Sequence, residues 1–271
     1  MNVKEAYSYS LSFLEANGVE EADFKALTVV CHVAGIKNSE YHAHKDDFII
    51  TKRLADSLWK LKTGEPLQYV VGKWDFYECE FYVGEGVLIP RPETEELVDL
   101  AVKYLKTVTN PVVIDLCSGS GCIGVSIAKA VPDSKVYCIE KSKEAFKYLE
   151  KNAKDYDNVA LINDDIFNDI DLENADLIIS NPPYIKTSDL ADLQDEVKKE
   201  PQMALDGGND GLDFYRIINT KWTFKLKPNG VLMLEIGEDQ GKDVVDVLTE
   251  FNNVEVKKDM YGNDRMVVAK R

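Results

Sequence analysis

Basic residues are in deficit in this chain: 32 Lys and Arg stand against 48 Asp and Glu among 271 residues, a formal net charge of −16. Tight binding to a phosphate backbone needs a basic face, so direct sequence-specific binding of nucleic acid is not expected. The acidic surplus suits a basic protein partner or a small ligand, and serves solubility in either case. Histidine is scarce as well, with three in all. His42 and His44 in "YHAH" are only a pair, so no metal site is expected. The five cysteines (Cys31, Cys79, Cys117, Cys122, Cys138) are odd in number and form no C-x-x-C pair. That argues against both a disulfide framework and a zinc site, and a reducing cytoplasm is the expected location. No apolar run approaches the ~20 residues of a membrane span. "MNVKEAYSYS" lacks the basic-then-apolar layout of a secretion signal. Internal repeats and low-complexity tracts are also missing.

What is present is globular. Hydrophobic residues at 45% and charged residues at 30% are ordinary values for a packed chain of one large or two modest domains. Residues 1–68 read as a small helical bundle. "AYSYSLSFLEANG" puts Ala6, Tyr9, Phe13 and Leu14 near one face and stops at Gly18. Two further helical stretches stop at Gly35 and Gly64, as C-terminal glycines do. Residues 69–90, "YVVGKWDFYECEFYVGEGVLIP", are aromatic and β-branched with glycine breaks, which predicts a β-hairpin linker. Residues 91–271 form the third segment. "PRPETEELVDLAVKYL" opens a helix, with Pro92 in its first turn and acidic residues facing the helix dipole. Strands are then expected at 112–116, 135–140, 159–163, 175–180 and 230–236, with helices between them. That alternation means an α/β fold with a doubly wound, mostly parallel sheet. Two extended runs around "YGND" predict a closing antiparallel pair at the sheet edge.

The stretch "VVIDLCSGSGCIGVSIAKA" reads as strand, glycine loop, helix. Gly119, Gly121 and Gly124 satisfy G-x-G-x-x-G, and Glu140 ends the next strand. Glycines let a ligand approach the backbone, and the helix start near Cys122 offers unpaired N–H groups. A carboxylate at Glu140 can accept from both hydroxyls of a ribose. A nucleoside-bearing cofactor is therefore expected, and both NAD and S-adenosylmethionine fit the pattern. Asp115 lies at the strand end, four residues before Gly119, where it suits the ammonium of a methionine moiety better than a pyrophosphate. In "NDDIF", Asp165 is placed to accept from an adenine amino group, with Ile166 and Phe167 covering the ring. Simple turn capping by Asp164 and Asp165 explains the same residues equally well.

"ADLIIS" runs straight into "NPPY" (Asn181 to Tyr184), on the rim where open α/β sheets bind ligands. An amide or exocyclic amino nitrogen has a delocalised lone pair and is a poor nucleophile. Help for its methylation consists of holding the NH₂ group with acceptors so that the lone pair is aimed. Asn181 supplies a side-chain carbonyl, and Pro182 a backbone carbonyl with no competing N–H. Pro183 restricts the loop. Tyr184 offers a π-face to a planar amide and to a nearby cation. Asn181, Pro182 and Tyr184 are thus the candidate catalytic residues.

These residues reach a known family. "NPPY" after "DLIIS", with "DLCSGSGCI" upstream, resembles the amino-methylating class I methyltransferases. "GEPLQYVVGKWDFYECEFYVGEGVLIPRPETEELV" (Gly64 to Val98), "EPQMALDGGNDGLDFYRIIN" and "YGNDRMVVAKR" are similar to the HemK/PrmC family, which methylates the N5 of a glutamine in class I peptide release factors. The resemblance implies a seven-stranded class I methyltransferase sheet. It implies S-adenosylmethionine as cofactor, with S-adenosylhomocysteine as product. Cofactor contacts are implied at Cys117, Ser118, Gly119, Ser120, Gly121, Glu140 and Ile166, beside Asp115, Asp165 and Asn181. Asn181, Pro182, Pro183 and Tyr184 are implied to grip the substrate glutamine. The partner implied is a class I release factor whose Gly-Gly-Gln loop enters the cleft, with the helical domain recognising the substrate protein. A nucleic-acid adenine or cytosine amino-methyltransferase and an NAD-dependent oxidoreductase are the competing readings.

Overall fold

A computed structural model describes all 271 residues, which fall into two compact units. Met1–Lys73 with Gln194–Lys199 form one, and Trp74–Leu193 with Glu200–Arg271 form the other. None of the helices is long and apolar enough to cross a membrane.

The first unit is helical: α1 Val3–Ala16, α2 Ala22–Ala34, α3 Tyr41–His44, α4 Thr51–Lys62 and α5 Leu67–Val71. Asn2 caps α1, its side chain taking the Glu5 N–H at 2.8 Å while Glu5 takes the Asn2 N–H at 3.0 Å. The buried stripe of α1 is Val3, Ala6, Ser10 and Leu14. Tyr9, expected on that face, is 54% exposed and stacks on Phe13 at 6.3 Å. At ~100° per residue, Tyr9 projects about a quarter-turn from the centre of the stripe, with Phe13 at its margin. Gly18, Gly35 and Gly64 take φ of 68°, 73° and 80° just past their helices, as the stop signals require. Lys25 of α2 is buried and pairs with Glu196, which ties residues 194–199 to this unit.

The expected hairpin is shorter than its sequence suggested. Tyr69–Val71 close α5, and Gly72 at φ 77° ends that helix. The strands are β1 Lys73–Phe76 and β2 Cys79–Tyr82. Burial of Leu67 and Tyr69 in a turn of helix begun at Pro66 overrides their β-branched and aromatic setting.

The second unit continues with α6 Pro92–Leu105, β3 Val112–Leu116, α7 Cys122–Ala130, β4 Lys135–Ile139, α8 Lys143–Ala153, β5 Val159–Ile162 and β6 Ala175–Ser180. Then come α9 Asp213–Ile217, prolonged by a π-helical turn, β7 Leu226–Glu235, α10 Gly241–Val247, β8 Asn253–Lys258 and β9 Asp264–Lys270. The seven strands β3–β9 lie in the order 5-4-3-6-7-9-8, parallel except that β9 runs antiparallel to β7 and β8. This is the seven-stranded, mostly parallel sheet that was expected. No helix joins β5 to β6. The acidic, Asn-bearing stretch from 163 to 174 is irregular, whereas a helix was expected there.

Alternation along the strands divides the core. Val113, Val136, Leu177, Ile179 and Met233 face the layer of α6, α7 and α8. Ile114, Leu116, Ile139, Ile178 and Leu234 face Tyr215, Trp222 and Val244 on the opposite side. Register then fixes the rim. Leu116 pairs with both Ile139 and Ser180, and Ser180 pairs with Leu234, so four parallel strands end level. The loops that follow them open at one edge.

Candidate active site

The glycine loop leaves β3 through three left-handed residues, Cys117 (φ 59°), Gly119 (56°) and Gly121 (83°). Ser118 donates its N–H to the Ile139 carbonyl at 3.0 Å, fixing the loop to the end of β4. The Gly119 N–H reaches Glu140 Oε2 at 2.8 Å, and the Ser142 N–H reaches Oε1 at 2.6 Å. Glu140 is nearly buried, and burial raises its pKa against the pull of those N–H donors. Each of its oxygens keeps a lone pair beyond these bonds. Gly124 packs against the strands: a Cβ there would lie 2.4 Å from Cys138 Sγ.

Asp115 is completely buried and stands off the cleft wall. Its Oδ2 accepts the Gly124 N–H at 3.0 Å, and its Oδ1 has no partner. Burial pushes its pKa up to about 7. The wall in front consists of Cys117, Ser118, Gly119 and Ser120. Gly121 starts the helix without lining the wall.

At the far end, Asp165 and Ile166 line the cleft. Asp165 Oδ1 accepts the Phe167 N–H at 3.0 Å and Oδ2 pairs with Lys141 at 2.8 Å. Asp164 does the turn capping, taking the Asp165 N–H and the Asn168 side chain, both at 2.7 Å. The Ile166 carbonyl accepts from Trp222 Nε1 at 3.0 Å. Phe167 is turned outward and half exposed, with its ring edge-to-face on Phe214 at 5.5 Å. Phe214, not Phe167, is the aromatic on the cleft wall.

In the loop after β6, Asn181 and Pro183 line the cleft, whereas Pro182 and Tyr184 stand behind the wall. Asn181 Nδ2 donates to Thr94 Oγ1 at 3.1 Å, and that hydroxyl donates to Glu235 Oε2 at 2.6 Å. Thr94 and Glu235 are both 1% exposed. Burial raises the Glu235 pKa to about 7, with Glu93 adding to it, while Thr94, Arg265 and Arg91 pull it down. Burial and the nearby Glu235 push the Tyr184 hydroxyl up to about 12, against Arg265 and Arg91. The loop backbone is held from outside. Gln240 Nε2 donates to the Tyr184 carbonyl at 3.0 Å, and the Gly207 N–H to the Ile185 carbonyl at 2.8 Å.

Leu88, Ile89, Arg91 and Met203 complete a cleft of about 940 Å³, its open mouth included. Glu200 is buried beside it, accepting the Ile89 N–H at 2.9 Å and pairing with Arg91. Sequence reasoning missed Thr94, Glu235, Glu200 and Phe214 as parts of this site. Glu235 carried a legible signal, being a carboxylate at the end of a buried parallel strand. The others are brought in by folding from 94, 200 and 214, inside stretches that carry the resemblance but with no spacing that marks a site.

The cleft thus joins a glycine-loop floor to a carbonyl-bearing side chain on one sheet rim. A family model for the methyltransferase small domain matches residues 96–209, and one for the PrmC N-terminal domain matches residues 5–72. The release factor glutamine methyltransferase of Thermodesulfovibrio yellowstonii is 38% identical over 91% of this chain and 92% of its own length. That of Clostridium acetobutylicum is 38% identical over 87% of this chain and 85% of its own. A crystal structure of the release factor-specific protein-(glutamine-N5) methyltransferase of Alicyclobacillus acidocaldarius is 30% identical, covering 70% of this chain and 99% of its own, with a TM-score of 0.44.

Proposed function

Because this chain belongs to the release factor glutamine methyltransferases, we propose that its cleft binds S-adenosylmethionine and presents the glutamine of a release factor's Gly-Gly-Gln loop to it. The enzyme is an S-adenosylmethionine-dependent protein-glutamine methyltransferase. The observation that carries the proposed geometry is Asn181: its Nδ2 is committed to Thr94, while its Oδ1 makes no bond inside the protein, on the wall of the cleft.

The residues present fit the cofactor. Ser120 Oγ is buried on the cleft wall without a partner, and Asp115 Oδ1 is likewise unpartnered. A Cβ on Gly119 would meet nothing within 4 Å, so the space over the loop is open. When bound, S-adenosylmethionine supplies an electrophilic methyl group on a sulfonium sulfur and leaves as S-adenosylhomocysteine. The Cys117–Ser120 backbone and the Ser120 hydroxyl are proposed to hold the methionine end, with Asp115 buried behind them. Glu140 takes the ribose hydroxyls with its remaining lone pairs. Asp165 would accept from the adenine amino group, with Ile166 and Phe214 on the wall beside it.

Asn181 Oδ1 accepts an N–H bond of the substrate amide, whereas Pro182, expected to share that role, stands behind the wall. That bond helps to fix the amide plane, and with it the direction of the nitrogen lone pair, which stands perpendicular to the plane. Pro183 lines the cleft beside Asn181, and Gln240 holds the Tyr184 carbonyl behind the wall. The nitrogen gains a methyl group and sheds a proton to solvent afterwards, so no strong base is required. A class I release factor is the proposed partner, with the cytoplasm as the place of action.

Thermal denaturation with candidate cofactors tests the assignment. S-adenosylmethionine is expected to raise the melting temperature and NAD to leave it unchanged. Stabilisation by NAD alone contradicts the reading.

A further inference from the structure

The acceptor role of Asn181 depends on two residues deeper in the fold. Thr94 Oγ1 carries one proton, and that proton is directed at Glu235 Oε2, 2.6 Å away. With its proton committed, the hydroxyl can only accept from Asn181 at 3.1 Å. The Nδ2 end of the amide satisfies that demand. The Oδ1 end would set one oxygen lone pair against another. The side-chain carbonyl is therefore left to the cleft, where an NH₂ group needs an acceptor. Thr94 comes from the start of α6, Asn181 follows β6 and Glu235 ends β7, so three separate elements converge on this chain of bonds. Glu235 is off the cleft wall.

We propose that Glu235, acting through Thr94, is a positioning residue that sets which end of the Asn181 amide faces the substrate. The inference rests on the reading of Asn181 as the substrate acceptor. Without an acceptor at position 235, the Thr94 proton is free to turn toward Asn181. The amide then satisfies it by rotating, which presents Oδ1 to Thr94 and an NH₂ group to the cleft. Donor would face donor, and the substrate amide would lose its orientation.

Steady-state kinetics on a Gly-Gly-Gln peptide, with cofactor affinity measured separately by calorimetry, test this. Glu235→Met and Thr94→Val are each expected to lower kcat about 100-fold, the scale of a misplaced reacting group. The dissociation constant for S-adenosylmethionine should stay within about 2-fold, because neither side chain belongs to its proposed contacts. Thr94→Ser, which keeps the hydroxyl, should recover kcat to within about 5-fold of wild type, which a loss of packing would not allow. The double variant should be no slower than either single one, since both remove the same device. Wild-type kcat in Glu235→Met and Thr94→Val, beside a large loss in Asn181→Ala, overturns the proposal. Wild-type turnover in Asn181→Ala instead overturns the reading on which it rests. Should Glu235→Met not fold, the contrast between Thr94→Val and Thr94→Ser decides the matter alone.

Discussion

A Cβ on Gly207 would stand 2.7 Å from the Cα of Tyr184, and 2.8 Å from the Pro183 carbonyl oxygen. Both neighbours are backbone atoms of the proposed substrate grip and cannot swing aside as a side-chain tip can. Gly207→Ala is therefore expected to shift the loop bodily. It should lower kcat by about 10-fold or more, because displacements of ~1 Å near reacting groups have costs on that scale. Cofactor affinity should hardly change, since the glycine loop is untouched. Kinetics and calorimetry on the variant check both halves.

Cys117 sits at φ 59°, a region that disfavours side chains by roughly 1–2 kcal/mol. Removing the side chain relieves this strain but loosens the unfolded chain by about 0.5–1 kcal/mol. Cys117→Gly should thus hold stability within about 1 kcal/mol of wild type, or raise it. Cys117→Val adds a β-branched side chain at a left-handed residue and should lower stability by about 2 kcal/mol or more. Urea denaturation of the pair provides the comparison. A valine variant as stable as the glycine variant contradicts the strain argument.

Glu235, with a pKa of about 7, gives the reaction a pH dependence. The ionised carboxylate accepts the Thr94 proton. Once protonated, the carboxyl can itself donate to Thr94 and release that hydroxyl to turn on Asn181. The groups around it are Thr94, Arg91 and Glu93 at the start of α6, Arg265 on β9 and Tyr184 behind the cleft wall. Of these, Glu93 favours the protonated form while Arg91 and Arg265 favour the carboxylate. The rate is expected to rise as pH increases through about 7, and this limb should become shallower in Glu235→Met, where Asp115, also raised to about 7, is the remaining carboxyl of the site that titrates there. A wild-type limb retained in that variant assigns the titration to another group.

Much of the second unit was legible because its cues are local. β3 and β6 fall at their predicted bounds, where apolar runs meet a glycine loop and a double proline. The rim position of "NPPY" followed from strand polarity alone. Three features were not local. Tyr69–Val71 read as strand but fold as helix, because burial of Leu67 and Tyr69 decides there. Phe167 was expected over the adenine, yet Phe214, 47 positions later, takes the wall. The link from Asn181 to Glu235 through Thr94 joins three elements far apart in sequence. No spacing rule announces such a contact, since it exists only once β6 and β7 are paired and α6 packs against them.

The central claim is that the carbonyl of Asn181 orients one glutamine amide for methylation. Mass spectrometry of a release-factor fragment carrying Gly-Gly-Gln, after incubation with enzyme and S-adenosylmethionine, tests it most directly. The account predicts a single added methyl group on the glutamine side-chain nitrogen, and its loss with Asn181→Ala although that variant still binds cofactor. Methyl on another residue, or equal methylation by Asn181→Ala, contradicts it.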